Sequence, residues 1–233
     1  MIGKQKLFIH VPKNGGMTVR RNPEIRRNII VCGPSTHKTR EYTKGLERKM
    51  KSVGDVMGYE HARWRDIKSE IRDEYRAFAF VRNPWDRVVS RYFFARKVIY
   101  VEKDSDHYGN TDYCDCSSFE SFLEERHKWG GVDYMWHRAV RNWYPAFDHV
   151  SDKEGNVRCD ILRFENYNED IKWYMGLLSD PPARNVTGLN KGKYQDLYTD
   201  KTIQIVADWY KKDIDHWGFD FDTGATKNYS NRL

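Results

Sequence analysis

Lys6-Leu7-Phe8-Ile9-His10-Val11-Pro12-Lys13-Asn14-Gly15-Gly16-Met17-Thr18 runs from apolar residues through a Pro-Lys turn and two glycines to a hydroxyl residue. The apolar run reads as a strand and the glycines as a tight turn into a helix. A second stretch repeats the plan. Phe78-Ala79-Phe80-Val81 is apolar throughout, and Arg82 is a cation at its end. Asn83 and Pro84 then signal a helix start, Asn as the cap and Pro at the first helical position. Strand, turn and helix, met twice, predict an α/β domain with a parallel sheet and helices on both faces. Ligands of such sheets bind beyond the carboxyl ends of the strands. A cation at two of those ends predicts a ligand with two separate anionic groups.

The first loop has the chemistry for one of them. Gly15 and Gly16 let the backbone approach a ligand with no Cβ in the way. The amides that follow, from Gly15 to Thr18, are helix-start donors that favour an anion. Lys13 adds a charge and Thr18 a hydroxyl. The order is not that of a Walker A loop, which places its Lys after the glycines and directly before Ser or Thr. In the second stretch Arg82 is expected to be free for a bidentate phosphate contact. Asp86 falls in the first helical turn, where negative charge is favoured, and Ser90 lies one turn further on the same face. Arg87 is expected to pair with a local carboxylate.

These residues carry a resemblance. Pro12-Lys13-Asn14-Gly15-Gly16-Met17-Thr18 resembles the 5′-phosphosulfate loop of sulfotransferases that use 3′-phosphoadenosine 5′-phosphosulfate (PAPS). Phe80-Val81-Arg82-Asn83-Pro84-Trp85-Asp86-Arg87-Val88-Val89-Ser90 is similar to their 3′-phosphate motif, closest to the carbohydrate-type branch (sulfotransferase family 2). Residues 161–167, 189–191 and 198–218 resemble the later part of the same branch. Asn14 and Met17 stand where Thr is commoner, so Thr18 and backbone amides carry more of the binding.

The resemblance implies a single sulfotransferase domain over residues 1–233, with a P-loop-NTPase-like α/β fold. It implies PAPS as sulfuryl donor and adenosine 3′,5′-bisphosphate (PAP) as product. Lys13, Asn14, Gly15, Gly16, Met17 and Thr18 would hold the 5′-phosphate side, and Arg82 and Ser90 the 3′-phosphate. Lys191, Gly192 and Lys193, in a late basic loop, would lie on the cofactor side. Lys13 would also serve the leaving phosphate. For the acceptor proton the candidate base is His61, which follows a short strand and precedes a helix; Glu60 is the competing base. His10, inside the first strand, is expected to be a packed strand residue.

Composition agrees without deciding. The chain has 233 residues, enough for a core, and a net charge of +6, which suits an anionic ligand or a bland basic surface. No nucleic-acid-binding signature stands out. No apolar run approaches the ~20 residues of a membrane span, and the N-terminus lacks a signal-peptide pattern, so the expectation is a cytoplasmic protein with no membrane partner. Cys114-Asp115-Cys116 is too tightly spaced for the usual zinc pair, and no metal is assigned. The expected partner is a carbohydrate or small-molecule acceptor. The alternatives are a nucleotide kinase or NTPase using the Gly-Gly loop, and a non-catalytic module binding nucleotide or sulfated glycan.

Further elements are expected as follows: a strand over 28–32, a helix over 39–50, a strand over 55–58 and a helix over 64–75. After the helix at 85–100, a polar insertion is expected over 102–116, near the substrate opening. Helices follow over 118–126 and 132–143, a strand over 160–164, and helices over 167–178 and 200–217. Arg163 and Glu165 are expected to form an ion pair.

Overall fold

The computed structural model describes residues 6–31, 59–101, 114–133, 135–181 and 193–222. Four strands form one parallel sheet: β1 (Lys6–Ile9), β2 (Ile29–Val31), β3 (Ala77–Val81) and β4 (Asp160–Arg163), in the order β2-β1-β3-β4. Phe8 pairs with Val31 on one side and Phe78 on the other, and Phe80 with Leu162. Both faces of the sheet are buried, as parallel sheets require. Leu7, Ile9, Ala77, Ala79 and Val81 face the larger core, and Phe8, Phe78, Phe80 and Leu162 the smaller. The alternation of Ala and Phe along β3 assigns small residues to one face and rings to the other.

The chain leaves β1 for β2 on one side and returns to β3 on the other. The gap between β1 and β3 is therefore the topological switch point, where the loops after the two strands part and leave a crevice.

The helices that frame it start where their caps dictate. α1 (Gly16–Arg21) follows Gly15. Asn22 then caps α2 (Pro23–Arg26), its side chain accepting from the Glu24 and Ile25 amides, so Pro23 starts a new helix. α3 (Ser69–Arg72) is short. α4 (Pro84–Arg96) is capped by Asn83 and ends in a π-helical turn, Lys97–Val101. α5 (Phe119–Trp129) is capped by Ser118 and runs one turn beyond the expected 126. α6 (Ala146–Val150) has its first amides, Ala146 and Phe147, bonded by the buried Asp213 carboxylate. α7 (Tyr167–Met175) stops at Gly176, whose φ of 65° is left-handed. α8 (Asp200–Trp209) and α9 (Lys211–Trp217) complete the order.

Three expected helices are corrected. Residues 64–75 hold a 3₁₀ turn, Trp64–Asp66, and then α3, because Ile67 and Lys68 are extended. Arg63 closes that turn by a forked bond to Asp66, at 2.6 and 3.1 Å. The apolar face still serves: Trp64, Ile67 and Ile71 are all buried. Among the described residues of 132–143 the one helical element is a 3₁₀ turn, Met135–His137, held by Asn142, whose Nδ2 donates to the Trp136 carbonyl at 2.5 Å. Residues 200–217 break at Tyr210, whose ψ of 24° departs from helical geometry. The expected helix at 39–50, the strand at 55–58 and residues 102–113 of the insertion lie outside the described residues. Cys114, Cys116 and Cys159 are free thiols. Among the described residues no helix is long and apolar enough to cross a membrane.

Candidate active site

The loop from His10 to Gly15 is held by side chains from four other elements, each bonding a different backbone carbonyl. His61 Nδ1 lies 2.9 Å from the His10 carbonyl and donates to it. Arg87 donates to Pro12 at 3.2 Å, Arg82 to Lys13 at 2.9 Å, and the Tyr167 hydroxyl to Gly15 at 3.3 Å. Asn14 completes the frame by donating its side-chain amide to the Phe80 carbonyl at 2.7 Å. A loop fixed on this many sides is ordered before a ligand arrives, which lowers the entropy cost of binding.

Lys13 has a φ of 67°, the left-handed region, and it is the only non-glycine with positive φ among the described residues. For a residue with a Cβ that backbone costs about 1–2 kcal/mol. Such strain persists where the surroundings impose it, commonly at ligand sites. The Lys13 Nζ sits 4.2 Å from the centre of the Phe94 ring. Burial, followed by the nearby cations Arg82, Lys97 and Arg91, pulls its pKa down to about 7. Lys13 makes no ion pair with a described residue. A sequestered amine among cations is a place that an anion stabilises.

The glycines are sterically required. A Cβ on Gly16 would stand 2.0 Å from His10 Cδ2, and one on Gly15, where φ is 79°, 2.8 Å from Tyr167 Cε2. Gly16 therefore lets the histidine ring lie flat against the helix start. Thr18 is buried and shares a hydrogen bond with the Tyr167 hydroxyl. Thus the loop and α7 are latched together by one phenol.

The two arginines of the second motif both depart from expectation. Arg82 grips Asp86 with Nε and Nη2, both at 2.8 Å, and lies 4.1 Å over the Phe164 ring. With its bond to Lys13, three of its five N–H groups are engaged. Asp86 is thus the clamp that aims Arg82 at the loop, beyond its favourable place in the first turn. Arg87, expected to meet a carboxylate, is fully buried and instead donates to the Pro12 and Tyr144 carbonyls. Ser90 is half-buried on α4, and its hydroxyl bonds no described residue. Glu165 accepts from the Asn83 amide at 2.7 Å in place of the expected pairing with Arg163.

Asn14 is 1% exposed and its side chain is bonded to β3, so it ties the loop to the sheet. Lys193 is exposed, just before a 3₁₀ turn, and Lys191 and Gly192 lie outside the described residues.

His61 stands at the same edge. Because a carbonyl can only accept, Nδ1 carries the proton in the bond to His10, and the lone pair of the neutral ring lies on Nε2. Glu60 Oε1 is 3.5 Å from that nitrogen, while Oε2 takes Arg20 at 2.8 Å. Burial alone would raise the Glu60 carboxyl, but His61, when protonated, and Arg20 hold it below its usual value. His10 lies one residue past β1 and is buried, with its ring centre 4.3 Å from that of His61. Burial and the neighbouring His61 push its pKa well down, so it is neutral. Sequence reasoning placed His10 inside the strand and overlooked Phe94, Tyr167 and Arg20. Arg20 and Tyr167 lie within two turns of a helix start, which was a signal for them; Phe94, near the end of α4, had none.

A parallel sheet with a cationic glycine loop at its switch point has the layout of α/β proteins that bind ligands at that edge. The profile of the sulfotransferase family matches residues 4–220, and the chain belongs to that family, sulfotransferase family 2. Its members are transferases of sulfuryl groups. Searches of curated proteins and of solved structures each gave no match.

Proposed function

We propose that the protein transfers the sulfuryl group of PAPS to a hydroxyl of a carbohydrate or small metabolite, releasing PAP. The observation that carries this reading is Lys13, a half-buried amine with no ion-pair partner among the described residues, at the switch point of a sulfotransferase-family domain. There it meets the bridge between the 5′-phosphate and the sulfuryl group. The acceptor oxygen attacks sulfur in line, and the bond from sulfur to the bridge oxygen breaks. Electron density passes to the 5′-phosphate, where protonated Lys13 stabilises it. His61 Nε2 takes the acceptor proton.

Amides of Gly15 to Thr18 bind the 5′-phosphate. Ser90 and the two N–H groups of Arg82 not engaged by Asp86 or Lys13 serve the 3′-phosphate. Lys193, with Lys191 and Gly192, closes on the cofactor from the late loop. The cations of this scheme come from the protein, and no resident metal is needed for it.

The direct test presents PAPS with a labelled sulfuryl group to a panel of sugars and small alcohols. Label should appear on at least one acceptor, with PAP formed in equal amount. Hydrolysis of ATP with magnesium, together with no transfer from PAPS, would favour the kinase or NTPase reading instead.

A further inference from the structure

His10, Glu60 and His61 come from the end of β1 and from the 3₁₀ turn at Tyr59–His61. Each offers one ligand atom, and the three atoms lie within 4.8 Å of one another. The Glu60 carboxylate is divided: Oε2 is held by Arg20 at 2.8 Å, and Oε1 faces His61 Nε2 at 3.5 Å. Tetrahedral zinc, with bonds of about 2.0–2.2 Å, sets its ligand atoms roughly 3.3–3.6 Å apart. The Glu60–His61 pair already has that spacing.

His61 also makes the outer bond of a metal-bound histidine. Its Nδ1–H donates to a backbone carbonyl, which fixes the ring and leaves Nε2 as the ligand atom. Independently, His10 Nδ1 is buried with no hydrogen-bond partner, a costly state for a ring nitrogen. We propose that His10, Glu60 and His61 form a binding site for one transition-metal ion of the zinc class, beside the phosphate loop.

Two imidazoles and one carboxylate suit Zn²⁺, Co²⁺ or Ni²⁺, whereas Mg²⁺ and Ca²⁺ take oxygen ligands. Three protein ligands leave a fourth position open. No local pattern points to this site, because the spacing rules for zinc look for ligands close along the chain, and His10 is far from His61. The site also bears on the chemistry. An ion on Nε2 occupies the lone pair that would accept the acceptor proton, so occupancy switches the enzyme off. That consequence rests on His61 as the base; the binding itself does not.

The test titrates metal-free protein with Co²⁺ alone, followed by visible absorption, and with Zn²⁺ by calorimetry. One ion should bind per chain, with the intense bands of a four-coordinate Co²⁺ site. Glu60→Gln and His61→Asn should each weaken binding about tenfold or more, since each removes a direct ligand. Both variants should still be stabilised by PAP, which shows that they fold. Absence of binding would overturn the proposal. So would unchanged affinity in both variants, which would place the ion on other histidines. If the metal binds and PAP does not, the sulfotransferase reading fails and the metal site stands. If PAP binds and the metal does not, the reverse holds. With activity in hand, saturating Zn²⁺ should abolish turnover and a chelator restore it. Unchanged turnover at full occupancy would overturn the switch.

Discussion

Lys13→Ala should lower kcat by about 10²–10³-fold while PAP affinity falls far less, because the lysine charge matters most when the bridge oxygen becomes anionic. The backbone does not confound this variant, since alanine inherits the same left-handed strain that lysine already bears. A second readout uses the depressed pKa of about 7, caused by burial and then Arg82, Lys97 and Arg91. In the free protein Lys13 loses its proton as pH rises through 7. Beside a phosphate anion its pKa rises, so binding above pH 7 takes up a proton. At pH 8 a group with that pKa is about one-tenth protonated, so uptake should approach ~0.9 proton per PAP. PAP affinity should therefore fall as pH climbs above 7, where phosphate ionisation is already complete. Calorimetry in two buffers of different ionisation enthalpy measures the uptake, and Lys13→Ala should abolish it. If turnover survived the substitution and only KM rose, Lys13 would be a binding residue.

His61→Ala should cost about 10²–10⁴-fold in turnover, the usual contribution of a placed general base. PAP affinity should change little, because the loop keeps its anchors from Arg82, Arg87, Asn14 and Tyr167. The measurement compares kcat for His61→Ala and Glu60→Ala on one acceptor. His61 is the proposed base because the His10 carbonyl holds its proton on Nδ1 and leaves the Nε2 lone pair, whereas Glu60 is engaged by Arg20. Near-normal turnover in His61→Ala, with loss in Glu60→Ala, would make Glu60 the base.

The sequence revealed what is local. β1, β3 and the cap at Asn83 follow from apolar runs and from Asn and Pro in their places. The switch point follows from strand order, which no local pattern encodes. Apolar spacing alone suggested a continuous helix at 64–75. It identified the buried face, but the Arg63–Asp66 fork and the extended Ile67 decide the backbone. The break at Tyr210 was hidden for the same reason: Arg91, from a distant helix, bonds its hydroxyl at 3.0 Å.

In the site, Lys13 and the glycines were legible because their chemistry is carried by adjacent residues. The role of Arg82 was only half legible, since Asp86 was read as a helix-dipole partner although it is one turn away and within reach. His10 was the clearest miss. Its neighbours in space, Gly16, Glu60 and His61, are assembled by the loop's turn and by a segment fifty residues on.

A thermal or calorimetric titration that compares PAP with AMP as stabilising ligands tests the 3′-phosphate site. At a hundredfold excess over Kd, a ligand that binds the folded state adds about 2.7 kcal/mol. PAP should bind more tightly than AMP by about 1.5–3 kcal/mol, the range for a hydrogen-bonded charged contact, and Arg82→Ala should erase most of that difference. Equal stabilisation by PAP and AMP would contradict a 3′-phosphate site at Arg82 and Ser90, and with it the use of PAPS.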